Sequence, residues 1–410
     1  MLRGQDLPGL SLVGGDLRFD LAVEKTRDDQ AVGRLFAPPG MADEPKPAKA
    51  KGSAAPSGED LFAQPKVLRL KIELSDSAQE ALRKDSKHYV KAVVREGGQS
   101  YADVGVRLKG NSTFQSIDKK PGLSLKFNEF VKQQEFHGRG RVLLNNSQQD
   151  PTYLSETIGG EVFREAGVPA AKVTFARVEM NGRDLGLYVV TEAANKEFLS
   201  QYFKKAKGNL YEGSNNDITD KLEKDGGDSS TEQADLRALA SAAKEPDLAL
   251  RWKKLATVLD IDRFITFAAV EVLLGHHDGY TMDKDNYRIY HDPATDQMVF
   301  LPHGLDRLLA KTDEPLLPEW KGLVARAVLN TPSGQQKYLE KMSGLLAGAF
   351  KPDALNARIK ELSATIRPAL AESDSAAAKT FDDAVAKLSE RIAKRAAFIE
   401  QQLKAAPAAK

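Results

Sequence analysis

Between Asp278 and Asp306 the sequence runs through a polar loop, a hairpin and a second carboxylate, in that order. The loop is Gly275-His276-His277-Asp278-Gly279-Tyr280-Thr281-Met282-Asp283-Lys284-Asp285-Asn286, and Tyr287 to Leu301 reads as the hairpin. A hairpin brings the chain back to the edge it left, so Asp306 is expected beside Asp278 and Asn286. Two carboxylates and an amide then converge on one spot. Such a set of hard oxygen ligands suits Mg²⁺ or Mn²⁺, the cations that hold nucleotide phosphates. Whatever fold the chain adopts has to satisfy that closure.

The chain has 410 residues, beyond the usual size of a single core, which favours one large two-lobed unit with a helical appendage. Its 41% hydrophobic content is enough for that core. Lys plus Arg (59) nearly cancels Asp plus Glu (58), with the basic residues dispersed, so no footprint for nucleic acid is expected. The absence of cysteine excludes disulfides, thiol catalysis and cysteine metal sites. No apolar run approaches the roughly 18 residues of a transmembrane helix, and the start, Met1-Leu2-Arg3-Gly4-Gln5-Asp6, lacks the apolar core of a signal peptide.

Residues 1–36 form a segment of unassigned role, and 37–62 read as a linker, because the run 37–58 is rich in Pro, Ala, Lys and Gly and poor in apolar residues. A domain is expected over 63–410, its pattern becoming regular from Val67, with a strand-rich part to about 192 and a helical part over 193–410. Val67 to Ile72, Tyr89 to Val94, Asp103 to Leu108 and Leu123 to Phe127 alternate as strands, and Ser75 to Arg83 reads as a helix with a Ser or Asp cap. The period of two puts Leu123, Leu125 and Phe127 on one face and Ser124 and Lys126 on the other. Asp150-Pro151 predicts a helix start, with about four turns to Gly167. Val173 to Glu179 and Leu187 to Thr191 flank the hairpin turn Asn181-Gly182. Asn215 to Asp228 reads as a polar, glycine-containing stretch, Asp260 opens a helix through Leu274, and helices follow Asp306 at Tyr338–Phe350, Leu355–Ile366 and Phe381–Leu403.

Several side chains are candidates for chemistry. Arg107-Leu108-Lys109-Gly110-Asn111-Ser112-Thr113 ends a strand in a small-residue turn with basic flanks, of which Arg107 is taken as the phosphate contact. Lys126 on its strand could position α and β phosphates if a helix carboxylate pairs with it. The following helix offers Glu156, beside Gly159-Gly160, and Glu161; the sequence does not choose, and Glu156 is preferred. Glu192 ends a strand where the chain would pass beside a nucleotide base. Asp278 could orient a substrate hydroxyl and take its proton, with Asn286 and Asp306 on the metal. Taken singly, each has a plainer reading: a strand lysine in solvent, a surface glutamate, an Asp that caps a turn or helix. His276, His277 and His303 do not read as a zinc site, since adjacent histidines on extended backbone diverge and no His-Glu-x-x-His helix is present.

The stretches Val104 to Thr113, Leu154 to Pro169, Asn181 to Tyr188 with Glu192, and Asp278 to Asp306 together resemble the CotH spore-coat kinase family, over roughly residues 67–310. That resemblance implies an α+β, atypical protein-kinase-like two-lobed fold with a β-rich small lobe and a helical large lobe. It implies ATP and Mg²⁺ or Mn²⁺ as cofactors, Lys126 on phosphate, Asp278 as catalytic aspartate, and Asn286 and Asp306 on the metal. Two features depart from the family pattern: Pro302-His303-Gly304-Leu305 before Asp306 where many relatives carry Trp-Asp, and a longer Asp278–Asn286 spacing than in ordinary protein kinases. The expected function is transfer of the ATP γ-phosphoryl group to Ser or Thr of a protein, with a coat or cell-surface protein as the acceptor and a secreted or cell-surface location that the resemblance implies. The alternatives are AMP transfer on the same fold and an inactive kinase-like protein serving binding or assembly.

Overall fold

The computed structural model describes residues 59–64, 66–227, 233–372 and 375–405. Residues 1–36 and most of the expected linker lie outside the described residues. The last part of that stretch is helix α1 (Glu59–Ala63), in which Leu61 is fully buried, so the packed unit begins before residue 63.

The strand-rich part closes on itself as a barrel. Its strands are β1 (Val67–Glu73), β2 (Val90–Glu96), β3 (Gln99–Lys109), β4 (Gly122–Lys126), β5 (Arg141–Asn145), β6 (Val173–Met180) and β7 (Arg183–Glu192), in the order β1-β2-β3-β4-β5-β7-β6. Closure comes from β1 pairing parallel to β6. Alternation fills the interior with Leu68, Leu70, Ile72, Val104, Val106, Leu108, Leu123, Leu125, Val142, Leu144, Val178 and Val190. Residues at the odd-out positions of β3, β4 and β5 therefore face outward, and these carry the polar groups of interest.

Local signals account for much of the frame. Ser75 Oγ accepts from Ala78 N (3.2 Å) and caps α2 (Asp76–Lys84). In the β6–β7 turn, Asn181 (φ 48°) and Gly182 (φ 77°) both occupy the left-handed region that a two-residue hairpin demands, and the Asn181 amide clips both backbone groups of Leu74 at 2.7 Å. The helix expected from Asp150 starts later: α3 spans Ser155–Glu165, about three turns. The Asp150 carboxylate instead gathers Thr152 N (3.0 Å), Thr152 Oγ1 (2.5 Å) and Ser155 N (2.9 Å), which bends the chain through Tyr153 at φ 57° before the helix begins.

The part expected to be helical contains a second sheet. After α4 (Lys196–Tyr202), strands β8 (Leu210–Gly213) and β9 (Glu223–Gly226) lie largely within or beside the stretch read as polar loop. They join the hairpin β10 (Tyr287–Asp292) and β11 (Gln297–Pro302) in the order β11-β10-β8-β9. Helices α5 (Ala234–Ala243), α6 (Leu248–Val258) and α7 (Ile261–Leu273) intervene, and the single turn α8 (Tyr280–Asp283) leads into β10. Asp260 caps α7 as expected, accepting from Arg263 N at 3.1 Å. The remaining helices are α9 (Leu323–Leu329), α10 (Pro332–Ala347), α11 (Pro352–Ala371) and α12 (Ser375–Ala405). Among the described residues no helix is long and apolar enough to cross a membrane.

α7 is the axis of the second core, buried along nearly its whole length. Its C-terminal carbonyls accept from neighbouring amides, as Val272 O does from Gly275 N (3.1 Å), and additionally from far along the chain. Arg395 of α12, fully buried, donates to Val272 O (2.6 Å) and Leu273 O (3.4 Å), and also to Glu314 O (2.6 Å) and Thr312 O (3.4 Å). One guanidinium thus ties together α12, the end of α7 and the segment after Asp306.

Candidate active site

The outward face of the barrel, α3, α4 and the β10–β11 hairpin with the segment after it line a cleft of about 500 Å³, open to solvent, among whose residues are Leu143, Glu156, Thr191, Phe198, Arg288, His303 and Leu305. Lys109 is the last residue of β3 and shares the outward face with Arg107. Its ammonium donates to Asn145 Oδ1 at the end of β5, and Asn145 Nδ2 donates to Glu156 Oε1 (2.7 Å) on α3. The lysine and the helix glutamate are thus joined through one amide.

Lys126 does not make the expected pair with a helix glutamate. It does face away from the barrel interior, as its strand period requires, but it lies opposite Gly105 in the register and forms an ion pair with Glu129 (2.5 Å). Lys109 takes the position beside Glu156 because β3 extends to the edge where β5 delivers Asn145. Of the two glutamates, Glu161 binds Arg358 of α11 (2.7 Å), whereas Glu156 lines the cleft. Arg107 lies over the Tyr89 ring (5.1 Å) and donates to Lys87 O (3.4 Å), away from Glu156. Glu192 lines the cleft, but its carboxylate is committed to Arg139 (2.8 Å) and Gln201 Nε2 (2.6 Å), and its N–H to Lys172 O (2.9 Å). What it offers a ligand is wall.

Asp278, Asn286 and Asp306 do come together. β10 and β11 are registered Tyr287 against Pro302, and His303 N donates to Asn286 O (3.1 Å). Gly304, at φ 58°, lies so close to Asn286 that a Cβ there would stand 2.3 Å from its Oδ1. Asn286 Nδ2 donates to Asp278 O (3.4 Å), which leaves its amide oxygen as the remaining ligand atom. Asp278 Oδ1 is buried with no hydrogen-bond partner among the described residues; His276 Nε2 is 3.6 Å away and donates toward Gly304 O (3.2 Å).

The charges in this cluster act on one another. Burial lowers the Lys109 pKa, opposed by Glu156, Asp306 and Glu212. Burial, then the Asp306 charge, pushes Glu156 up to about 7 against the pull of Lys109. Burial also raises Asp306, with Lys109 opposing and Asp278 adding to the rise. The site holds more acid than base at close quarters, which is the balance expected where a cation is to be received.

The loop carrying Asp278 is held by a residue the sequence reading passed over. Glu271 of α7, fully buried, accepts from Tyr280 N (2.9 Å), Thr281 N (3.0 Å) and Thr281 Oγ1 (2.6 Å). A lone acid inside the apolar run Phe267 to Leu274 was the available signal. Arg288, also missed, is buried between Glu212 (2.7 Å) and Asp225, and Arg141 of β5 reaches the same Asp225 (3.4 Å), so the barrel and the second sheet meet across this carboxylate. Beside it, burial and then the Arg288 charge hold His303 down at about 3, so it stands neutral at the cleft wall. Among the described residues no three His, Asp or Glu side chains are grouped to hold a metal by themselves.

The chain is similar to inner spore coat protein H of Bacillus subtilis (strain 168), with 23% identity over 332 residues covering 75% of this chain and 86% of that protein. Two solved structures show a loose likeness. One is the Helicobacter pylori proinflammatory kinase CtkA, with TM-score 0.31 and 9% identity, covering 69% of this chain and 94% of that one. The other is the Shewanella oneidensis MR-1 toxin–antitoxin complex of HipA, HipB and operator DNA, with TM-score 0.29 and 13% identity, covering 82% and 74%. The family described as CotH kinase protein matches residues 106–399, a span that takes in Lys109, Glu156, Asp278, Asn286, Asp306 and the clamp at Arg395. The chain belongs to the CotH kinase protein family.

Proposed function

We propose that the chain transfers the γ-phosphoryl group of ATP to a Ser or Thr hydroxyl of a protein in a metal-dependent reaction, with the barrel as the small lobe of a two-lobed kinase-like unit. The observation that carries this reading is the grouping of Lys109, Glu156, Asp278, Asn286 and Asp306, linked by hydrogen bonds and mutual charge effects, beside the cleft that Glu156 lines. Bound nucleotide and Mg²⁺ or Mn²⁺ supply the activated phosphoryl group and the charge that offsets its oxygens. The residues present fit that cation: two carboxylates, one with a buried oxygen lacking a partner, and an amide oxygen turned free by its own donated hydrogen bond. Asn286 and Asp306 would hold it, with phosphate oxygens completing the shell that the protein alone does not supply.

Lys109 sets a positive charge against the α and β phosphates, and the Asn145–Glu156 relay fixes where that charge stands. Asp278 accepts the proton of the attacking hydroxyl, held in place by the loop that Glu271 ties down. Leu143, Phe198 and Leu305 give the cleft apolar wall suited to a base. The name of the Bacillus subtilis relative suggests that the acceptor is a coat or surface protein and that the chain works there.

The test is incubation of the purified chain with γ-labelled and, separately, α-labelled ATP, with Mg²⁺ or Mn²⁺ and a generic acceptor, beside Asp306→Ala. Label from the γ position alone, lost in the variant, supports the proposal. Label from the α position means AMP transfer. No label, with no nucleotide-induced thermal shift, assigns the chain to binding or assembly.

A further inference from the structure

On the far side of the same helix that carries Glu156 lies a second cavity, of about 480 Å³, bounded by α1, α3, the start of β6 and α11. Its walls bring Arg164, Lys172 and Arg358 together against the single carboxylate of Glu161. Arg358 is spent: it binds Glu161 (2.7 Å) and Glu361 (2.7 Å). Arg164 uses one nitrogen on Ala170 O (3.3 Å) and Ala171 O (2.6 Å) and meets no carboxylate at ion-pair distance among the described residues, and neither does the Lys172 ammonium. Arg164 and Lys172 therefore face the cavity without a direct ion-pair partner, the Glu161 carboxylate on the same wall being bound to Arg358 and reaching Arg164 only through its field.

Thr157 supplies an independent observation. It lines the cavity, is 4% exposed, and its Oγ1 is buried without a hydrogen-bond partner among the described residues. A buried hydroxyl that could bond to its own helix usually does so, and leaving it unpaired is costly. Here it sits in the first turn of α3, where the helix dipole also favours negative charge. A point charge, a forked donor and a hydroxyl around a cavity of this size match a tetrahedral oxyanion.

We propose that this cavity is a second ligand site that takes a phosphate monoester dianion or free phosphate. Thr157 directly follows Glu156, so its occupant would contact the same turn of α3 that positions the cleft glutamate, without entering the cleft.

The test is calorimetric titration of the full chain, without nucleotide, with inorganic phosphate and separately with an N-acetyl phosphoserine amide. Lys172→Gln and Thr157→Val should each weaken binding by about tenfold, the loss of one charge-assisted hydrogen bond, while Lys126→Met, whose ammonium pairs with Glu129 and lines neither cavity, leaves it unchanged. Tighter binding of the phosphoserine amide identifies a phosphorylated side chain as the natural occupant, and phosphate alone identifies the free anion. The proposal is overturned if neither cavity variant weakens binding, if Lys126→Met abolishes it, or if neither probe binds at tens of millimolar. Because no turnover is measured, failure of the kinase reading leaves this result standing, and the reverse also holds.

Discussion

Glu271→Gln should loosen the Asp278 loop at a cost that the hydrogen bonds set. The carboxylate serves three donors: one oxygen takes Tyr280 N and the other takes Thr281 N and Thr281 Oγ1. Glutamine keeps the shape but has one acceptor. Turned toward Thr281 it retains two bonds, now neutral, and sets its own NH₂ against the Tyr280 N–H, which is buried. Losing one charged bond, weakening two and stranding a donor sums to about 4 kcal/mol, from which removal of a buried charge returns part, leaving about 2 kcal/mol. Urea unfolding compares the midpoints at unchanged m value, with Thr281→Val, expected to cost about 1 kcal/mol, as the single-bond control. The double variant should fall short of additivity, since both changes remove the same Thr281 Oγ1 contact. Phosphoryl transfer should drop more than tenfold, because Asp278 stands on the loop being released. A Glu271→Gln protein within about 0.5 kcal/mol of the parent would refute the assignment of Glu271 as the loop's anchor.

Other outcomes follow from the same geometry. Asp278→Ala and Asp306→Ala should each cut transfer by about a thousandfold or more with unchanged far-UV circular dichroism. Lys109→Met should sharply weaken nucleotide use while Lys126→Met changes it less than about twofold, measured as kcat/KM for ATP; the opposite ranking would restore Lys126 to the site. Glu156, raised from its ordinary 4.5 to about 7, binds its proton more tightly folded than unfolded, so its contribution to stability is present below pH 4.5 and is lost as pH rises to about 7. Glu156→Gln should flatten that part of the stability–pH curve, a difference on the order of 3 kcal/mol across the window in ligand-free protein. Arg395→Leu should destabilise by about 3 kcal/mol, read from urea midpoints, because several buried carbonyls lose their donor.

Legibility in the sequence divided along a physical line. Features fixed by neighbours in the chain were readable: the Asn181-Gly182 turn, the Ser75 and Asp260 caps, and the hairpin that returns Asp306 to Asp278 and Asn286. Features fixed by strand order were not. Lys109 and Lys126 both stand on outward positions of adjacent strands, and only the register of β5 beside β4, which carries Asn145 to the barrel edge, selects Lys109. In the segment Arg107 to Thr113 both flanks are basic, and it is Lys109 that joins Asn145 and Glu156 while Arg107 stacks over Tyr89. Asp150-Pro151 misled because a carboxylate that caps a helix and one that bends the chain ahead of it share a sequence signature. β8 and β9 were invisible because four-residue strands rich in Glu, Lys and Gly carry no periodicity.

The Arg395 clamp also orders events in time. During synthesis Lys109, Asp278 and Asp306 leave the ribosome well before α12, so a nascent chain holds the charged side chains of the candidate site while the end of α7 still lacks the Arg395 guanidinium. Completion of the fold behind the Asp278 loop is therefore deferred until the last helix docks, so the candidate site is finished by a residue more than a hundred positions beyond Asp278 in the chain.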